Sequence, residues 1–157
     1  MASPSERLAL LWDRCARIPG GRWAFSRMLG VMIPYTGSIG ARVEVLRPGH
    51  ARVTLRDRRA VRNHLGSIHA LALANLGEVT SGLATLMSLP PGTRSIVTEL
   101  TIEYLKKARG TLTAESHVTV PTAISAATDV VVPCEIVDAS GDTVARTRVR
   151  WRLAPPR

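Results

Sequence analysis

The sequence predicts an α+β fold in which a curved antiparallel sheet wraps around one long central helix. Residues 65–89 form a single long apolar segment, and on both sides of it apolar and polar residues alternate with the period of two that is typical of strands. A helix that is apolar nearly all round must be covered on most sides, and a curved sheet is the most economical cover. A flat sheet with the helix on one face is the alternative.

Length and composition indicate one soluble domain. The chain has 157 residues, of which 45% are hydrophobic and 21% charged, enough for a domain with its own core. The N-terminus does not resemble a signal peptide. Cys15 and Cys134 are far apart, without the spacing of a zinc or redox motif. We therefore expect a cytoplasmic protein without a metal site.

The first 38 residues predict helices. Residues 4–17 place Leu8, Leu11, Trp12 and Cys15 on one helical face, and Pro19 and two glycines end this helix. Residues 23–31 predict a second short helix. We expect residues 1–38 to form an N-terminal helical extension that packs against a main domain of residues 39–157.

The main domain predicts two strands, one helix and four strands, in that order. Residues 42–47 and 51–58 alternate around a Pro48-Gly49 turn, as in a hairpin. After the helical segment come four runs separated by turn residues, at about 95–105, 111–120, 126–137 and 144–153. The helical segment is long enough to cross a bilayer. It contains a charged residue and ends at two prolines, so we expect no membrane span.

Glu78 is the most informative residue, because it is the only Asp, Glu, Lys or Arg between Arg62 and Arg94. A lone carboxylate in apolar surroundings is costly unless it is paired or its pKa rises, and such groups are often kept for chemistry. His69 stands nine residues before it, and Asn63 six residues before that. Taken singly, such residues more often have structural roles, since a histidine at a helix start is usually structural and a lone glutamate can pair with an arginine from a strand; together they favour a catalytic role.

Helix geometry separates His69 from Glu78. Nine residues place the two side chains on opposite sides of a helix and roughly 13 Å apart along its axis. A site that uses both is therefore most simply built across two chains, which predicts a homo-oligomer. With Ser67 as the expected N-cap, the unpaired first-turn N–H groups would polarise a carbonyl. Glu78 would act as base or nucleophile, and the Asn63 amide would orient water or the carbonyl. A polarised carbonyl, a base or nucleophile and an oriented water together fit acyl transfer to water.

The spacing of these residues resembles a known family. Residues 63–69 (Asn-His-Leu-Gly-Ser-Ile-His), followed by Glu78, are similar to the hotdog-fold thioesterases of the phenylacetic-acid-pathway type, and more closely to the DUF4442 branch. Those enzymes carry Asn, Gly, His-Gly-Gly and an Asp or Glu at these spacings. The resemblance covers residues 40–153 and implies a hotdog fold, with the central helix enclosed by the sheet.

The resemblance also implies roles for individual residues. Glu78 would be the catalytic carboxylate, Asn63 would position water or the carbonyl, and the Ala70 N–H beside His69 would hold the oxyanion. The family's His-Gly-Gly is His69-Ala70-Leu71 here, which removes both glycines. The substrate would be a small-molecule acyl thioester whose coenzyme A is part of the substrate, with no other cofactor. Substrate contacts would come from the following residues: Gly66, Leu73, Leu76, Leu83, Lys106, Lys107 and Arg109.

Two other functions are alternatives, one suggested by the positive charge and one by the altered His69-Ala70-Leu71. The net charge is +9, and 19 of the 21 basic residues are arginine. Four of them, at positions 146, 148, 150 and 152, alternate with other residues, as on the solvent face of a strand or at a phosphate site. Nucleic-acid binding is the less favoured alternative, since the chain has only six Phe, Trp and Tyr residues and no known module. The other alternative function is that of a protein that binds acyl thioesters without hydrolysing them.

Overall fold

The computed structural model describes residues 4–156. Three helices come first, α1 (Pro4–Ala16), α2 (Gly21–Met32) and the single turn α3 (Pro34–Gly37). The long helix α4 (Ala70–Leu86) follows the first two strands and a short 3-10 turn (Arg59–Val61). The strands are β1 (Arg42–Arg47), β2 (His50–Leu55), β3 (Arg94–Tyr104), β4 (Leu112–His117), β5 (Thr128–Val137) and β6 (Thr143–Ala154).

The six strands form one antiparallel sheet in the order β1-β2-β4-β5-β6-β3. Helix α4 contacts all six strands, from one edge of the sheet to the other. A sheet does this only by curving around the helix, so the predicted hotdog fold is confirmed and the flat-sheet alternative is wrong. The edge strand β3 has 11 residues and pairs only with β6 among the described residues, which leaves a long row of backbone groups unpaired.

Two glycines let α4 approach the sheet closely. A Cβ atom added at Gly77 would lie 2.4 Å from Cγ2 of Thr147, and one added at Gly82 would lie 2.9 Å from Cζ2 of Trp151. Both contacts are shorter than van der Waals packing allows. The helix axis is therefore held at a distance from β6 that only residues without a side chain permit.

The N-terminal helices share the main core. Phe25 of α2 is fully buried, and its ring meets that of Trp12 edge-on with centroids 5.0 Å apart. Both belong to the same apolar cluster as Leu76 of α4 and Val53 of β2. Helices α1 and α2 lie where they were predicted, and α3 is an additional turn.

The start of α4 differs from the prediction. Ser67 is not the N-cap; His69 is, and its Nδ1 accepts a hydrogen bond of 3.0 Å from the Leu71 N–H. The preceding N–H groups are engaged elsewhere, since Ile68 donates to Ala108 O and His69 to Val61 O, each at 2.8 Å. These bonds hold the chain extended up to His69, so the helix cannot begin earlier.

The arginines of β6 face solvent and are largely ion-paired. Arg150 contacts Glu99 of β3 at 2.9 Å, Arg152 contacts Asp129 of β5 at 2.8 Å, and Arg146 lies 3.5 Å from Glu135. The residues between them, including Val149 and Trp151, are buried against α4 and its surroundings. The alternation of arginines with buried residues along β6 therefore reflects a sheet with one face in water and the other packed against the core.

Within residues 4–156, none of the helices combines the length and apolarity needed to span a membrane.

Gly77→Ala tests the close approach of α4 to β6. The new methyl group has no room beside Thr147, so we expect a loss of about 1–3 kcal/mol in the free energy of unfolding, measured by denaturant titration. Thr147→Ala in the same chain removes the nearest atoms and should recover part of that loss. If the free-energy losses of the two single variants simply add in the double variant, this packing is contradicted.

Candidate active site

Glu78 lies on the one stripe of α4 that the sheet leaves uncovered. The stripe also carries Leu71 and Ala74, while most other positions of the helix are buried. Glu78 is itself half-buried, and no hydrogen bond or ion pair to its carboxylate is found among the described residues. Burial raises the pKa of Glu78 above its ordinary range. An unneutralised carboxylate with a raised pKa has the properties of a general base.

The start of α4 offers a free hydrogen-bond donor. The His69 ring caps the Leu71 N–H, and the N–H groups of Ala72 and Leu73 bond to the His69 carbonyl. Within the described part of the chain, no acceptor bonds to the Ala70 N–H. The hydroxyl of Tyr104, at the end of β3, donates to the Ala70 carbonyl at 3.1 Å and fixes the position of the first turn. The free N–H points to an anion or carbonyl site at this helix end.

Asn63 builds the turn that leads to the helix. Its Oδ1 accepts hydrogen bonds from Leu65 N at 2.9 Å, from Ser67 N at 3.2 Å and from Ser67 Oγ at 3.2 Å. Gly66 in this turn has a φ of 66°, a conformation that favours glycine. The side-chain oxygen Oδ1 of Asn63 is thus occupied by these three hydrogen bonds. Only the side-chain nitrogen Nδ2 remains to contact water or a substrate.

The structure brings Asn63, Gly66, His69 and Ala70 into one region and leaves Glu78 apart from them. Glu78 follows Ala70 by eight residues, a rise of roughly 12 Å along the helix. No contact joins the Glu78 carboxylate to His69 or Asn63 within the described chain. A site that used both groups would most simply be built across two chains.

The leucines predicted to contact the substrate lie in the core. Leu73, Leu76 and Leu83 are at most 3% exposed and belong to the core, where α4 meets the sheet. Leu71, which is 62% exposed, lies on the uncovered stripe instead. The face that α4 offers to a ligand is therefore made by Leu71 and Ala74 and not by the three core leucines.

The basic residues after β3 divide into two groups. Lys106 Nζ is engaged by two carboxylates, Asp138 at 2.7 Å and Asp142 at 2.6 Å, and these contacts raise its pKa. Lys107 and Arg109 are exposed. Among the described residues neither Lys107 nor Arg109 is in an ion pair as close as those of Lys106, although Arg109 lies near enough to Asp57 to lower its pKa.

A cavity beside His69 was not predicted from the sequence. It has a volume of about 240 Å³ and lies between α3, the 3-10 turn and the start of α4. Its wall includes Tyr35, Val61, His69, Leu71 and Asn75. An asparagine inside an otherwise apolar helical segment was the available signal, but the contribution of α3 to the wall was not visible in the sequence.

A second polar group, at the other end of the sheet, was also not predicted. His50, Glu115 and His117 hold ligand-type atoms within 4.8 Å of one another. His50 Nδ1 already accepts from Arg47 at 3.0 Å, its Nε2 contacts Glu115 at 2.5 Å, and Arg52 holds the same carboxylate. Burial alone would raise the pKa of Glu115, but the hydrogen bonds from Arg52 and His50 outweigh it and lower that pKa. The His50 ring and the Glu115 carboxylate are thus engaged with each other and with Arg47 and Arg52, while the exposed His117 lies 3.6 Å from Glu115.

Glu78→Gln should stabilise the protein at neutral pH. The folded state raises the pKa of Glu78, so it binds a proton that the unfolded chain releases near the ordinary value of 4.5. Stability therefore falls as pH rises from that value through the folded pKa. We expect a higher Tm for the variant at pH 8 and no difference at pH 3.5, measured by calorimetry. A variant less stable than wild type at pH 8 would mean that the carboxylate has a favourable partner.

Solved structures with a similar fold include several described as thioesterases. A crystal structure of a structural-genomics target is 32% identical, with a TM-score of 0.80 over 94% of this chain and 97% of that one. A Pseudomonas aeruginosa protein of unknown function, described as a probable thioesterase, is 23% identical with a TM-score of 0.72 over 87% and 96% of the two chains. A thioesterase family protein from Silicibacter pomeroyi is 17% identical with a TM-score of 0.69 over 83% and 96%. No curated protein matches the chain in sequence.

A protein-family model matches residues 21–153 and is described as a domain of unknown function, DUF4442. The match begins at the first residue of α2, within the segment that the sequence analysis separated as an extension. Because it takes in most of the chain, the protein belongs to the DUF4442 family.

Proposed function

We propose that this protein hydrolyses an acyl-CoA or a similar acyl thioester to the free acid and the thiol. The observation that carries the proposal is the Glu78 carboxylate, which is half-buried, unpaired and placed on the uncovered stripe of α4. The free Ala70 N–H at the start of the same helix is the complementary group. Solved structures of the same fold that are described as thioesterases support the reaction class.

The site is proposed to lie between two subunits. Glu78 and Ala70 are too far apart along α4 to act on one carbonyl within a chain. The long unpaired edge of β3 supports pairing with a second copy, since such an edge is a ready template for another strand. Tyr104 at the end of β3 contacts the start of α4, so a partner on this edge would come close to the Ala70 N–H.

The proposed mechanism uses the Glu78 carboxylate of one subunit and the Ala70 N–H of the other. Glu78 takes a proton from water, and the water oxygen attacks the thioester carbonyl carbon. The negative charge that develops on the carbonyl oxygen is held by the Ala70 N–H of the other subunit, helped by the dipole of α4. When the tetrahedral intermediate collapses, the carbon–sulfur bond breaks and Glu78 returns its proton to the departing thiolate. The acid is released with the enzyme unchanged.

Recognition of coenzyme A is proposed to involve exposed basic residues. Lys107 and Arg109, after β3, are free to contact phosphates, whereas Lys106 is held by Asp138 and Asp142. The arginines of β6 are poorer candidates, because most of them already pair with carboxylates of neighbouring strands. The same pairing weakens the case for nucleic-acid binding, which would need free charge on that face.

A protein that binds acyl thioesters without hydrolysing them is the second candidate. Leu71 favours it, because this side chain is 62% exposed at the helix start, where the related enzymes have glycine. A side chain at this position limits how closely a carbonyl can approach the Ala70 N–H. Turnover measurements distinguish the two candidates.

Glu78→Gln should abolish turnover of acyl-CoA while the fold persists. The amide cannot accept a proton from water, and loss of a general base costs roughly 10²–10⁴-fold. Thiol release from short, medium, long and aromatic acyl-CoAs measures both activity and substrate class. Arg148→Gln, a remote change on the solvent face, is the control. Full activity of Glu78→Gln would exclude this mechanism, and binding without turnover in wild type would favour the second candidate.

Mixing two inactive variants should restore activity if the site spans two subunits. Ala70→Pro removes the proposed oxyanion donor but suits the first helical position, and His69 has a φ of −64° and a ψ of 141°, which suit a residue before proline. Loss of one such donor costs about 10²–10³-fold. The Ala70→Pro and Glu78→Gln variants are refolded together in equal amounts. If subunits assort at random into symmetric dimers, half of the dimers are mixed, and each mixed dimer has one site with both groups intact, so about a quarter of all sites are intact.

The control mixture is Glu78→Gln with Glu78→Ala, which share the same defect and should recover nothing. No recovery in the first mixture, with mixed dimers demonstrated, would place both groups outside a shared site.

A further inference from the structure

The apolar surface that the protein leaves exposed is concentrated on its N-terminal helices. Of the 13 large hydrophobic side chains that are exposed among the described residues, six lie between positions 18 and 35. Five of these six belong to α2 and to the turn α3 that follows it, and we call them the α2–α3 patch. They are Trp23, Val31, Met32, Ile33 and Tyr35, each between 45% and 75% exposed. Exposed apolar side chains grouped in this way mark a contact site.

The backbone around the patch is fixed. Gly30 of α2 and Gly37 of α3 touch, so that a Cβ atom added at Gly37 would collide with the Gly30 carbonyl oxygen. The Gly37 N–H donates to the Ile33 carbonyl at 2.9 Å, and the Asn75 amide of α4 donates to the Tyr35 carbonyl at 3.0 Å. The turn is thus packed against two helices, and the exposure of its side chains is a property of the fold.

A positive charge lies within the patch. Trp23, Arg27 and Val31 are spaced by four residues and form one stripe on α2, on the side opposite the buried Phe25 and Leu29. Arg27 is exposed and forms no ion pair with any described residue. The exposed face of α2 therefore alternates a guanidinium with large apolar side chains.

The chain segment that carries the patch has no negative charge. No Asp or Glu lies between Asp13 and Glu44, while five arginines do. Arg22 and Arg42 both pair with Glu44, at 3.7 and 3.2 Å. Arg58 donates to the backbone just after α3 at 3.3 Å and adds a further cation on that side. The patch is therefore an apolar surface bordered by cations.

The charge of the patch argues against a second copy of this chain as its occupant. Contacts in symmetric dimers are isologous, so the surface would have to match itself. Arginines would then face arginines, and Glu44 is already engaged by two of them. Helix α2 also packs on β1, whereas the edge proposed for subunit contact is β3, at the opposite end of the strand order.

An anionic lipid surface complements the patch. Helices that lie in a membrane interface carry large apolar residues on one face and basic residues beside them. Trp and Tyr rings favour the headgroup level, and cations meet anionic headgroups there. Aliphatic side chains such as Val31 and Met32 suit hydrocarbon, whereas a single-stranded nucleic acid would need rings for base stacking at these positions.

We propose that the α2–α3 patch attaches the protein to the surface of membranes that contain anionic lipids. Trp23 and the aliphatic side chains enter the interface, and Arg27 contacts the headgroups. This is attachment to a membrane surface without a spanning helix, and it goes beyond the proposed hydrolysis. Tyr35 also lines the cavity beside His69, so attachment would place that cavity close to the lipid.

Flotation of the protein with lipid vesicles tests the proposal. The probes are vesicles of phosphatidylcholine alone and vesicles that also contain phosphatidylglycerol. We expect binding to the mixed vesicles, weaker binding to phosphatidylcholine alone, and a blue shift of tryptophan fluorescence on binding. The shift reports on Trp23, because the other two tryptophans, Trp12 and Trp151, are buried.

Two variants locate the contact on the patch. Val31→Asp should weaken binding to the mixed vesicles about tenfold, because a charge replaces an apolar contact. Arg27→Gln should weaken it about fivefold, the effect of one cation near an anionic surface. The matched controls are Val131→Asp on β5 and Arg148→Gln on β6, which change an exposed valine and an exposed arginine elsewhere and should bind as wild type does.

Absence of wild-type binding to both kinds of vesicle would overturn the proposal, and equal binding to both would overturn the role of Arg27. Binding that high salt abolishes, without a fluorescence shift, would indicate charge alone, as for an acidic protein or a nucleic acid, and would overturn it too. Val31→Asp that binds like wild type would place the contact elsewhere. If Val31→Asp changes the number of subunits in analytical ultracentrifugation, the patch is a subunit interface instead. Binding needs no turnover, so none of these results bears on the proposed hydrolysis.

Discussion

Helix α4 has to be enclosed on nearly all its sides, because most of its surface is apolar and would otherwise face water. The sheet meets this requirement by curving until all six strands touch the helix. Close contact depends on Gly77 and Gly82, where any side chain would collide with β6. The N-terminal helices complete the cover by adding Phe25 and Trp12 to the same core. Which part of α4 this cover leaves open decides where Glu78 lies.

An unpaired carboxylate lies on the uncovered stripe, and an amide with an unpaired oxygen lies next to it among the buried residues. Glu78 lies half-buried there without a partner, and Asn75 precedes it by three residues, which places the two on neighbouring positions of the helix surface. At the start of the same helix the Ala70 N–H is free because the His69 ring caps the next residue. Leaving a carboxylate, an amide oxygen and a backbone donor unsatisfied is unfavourable for folding. The three groups mark this end and this side of α4 as the place to test the proposed reaction.

Much of this could be predicted from the sequence, because it depends on local periodicity. The alternation of β6 predicts which side of the strand faces solvent, and the apolar segment around Glu78 predicts the enclosed helix. The N-cap could not be predicted, because Ser67 is a good capping residue by type and is displaced by hydrogen bonds from Ile68 and His69 to distant residues. The burial of three leucines in the core could not be predicted either, because a helix that is apolar all round gives no signal of which side meets the sheet. These residues are Leu73, Leu76 and Leu83. The cavity next to Asn75 depends on α3, whose position is set by tertiary contacts alone.

The charged face of β6 has a consequence for how the sheet assembles. Arg150 meets Glu99 on one neighbouring strand and approaches Asp129 on the other, and Arg152 also reaches Asp129. If β6 slipped by one residue during folding, its arginines would turn towards the core and its apolar residues towards water. The correct alignment is thus the one in which charges on three strands meet across the sheet. The pairing of Arg150 with Glu99 thus favours one register of β3 against β6, although β3 has a neighbour on only one side among the described strands.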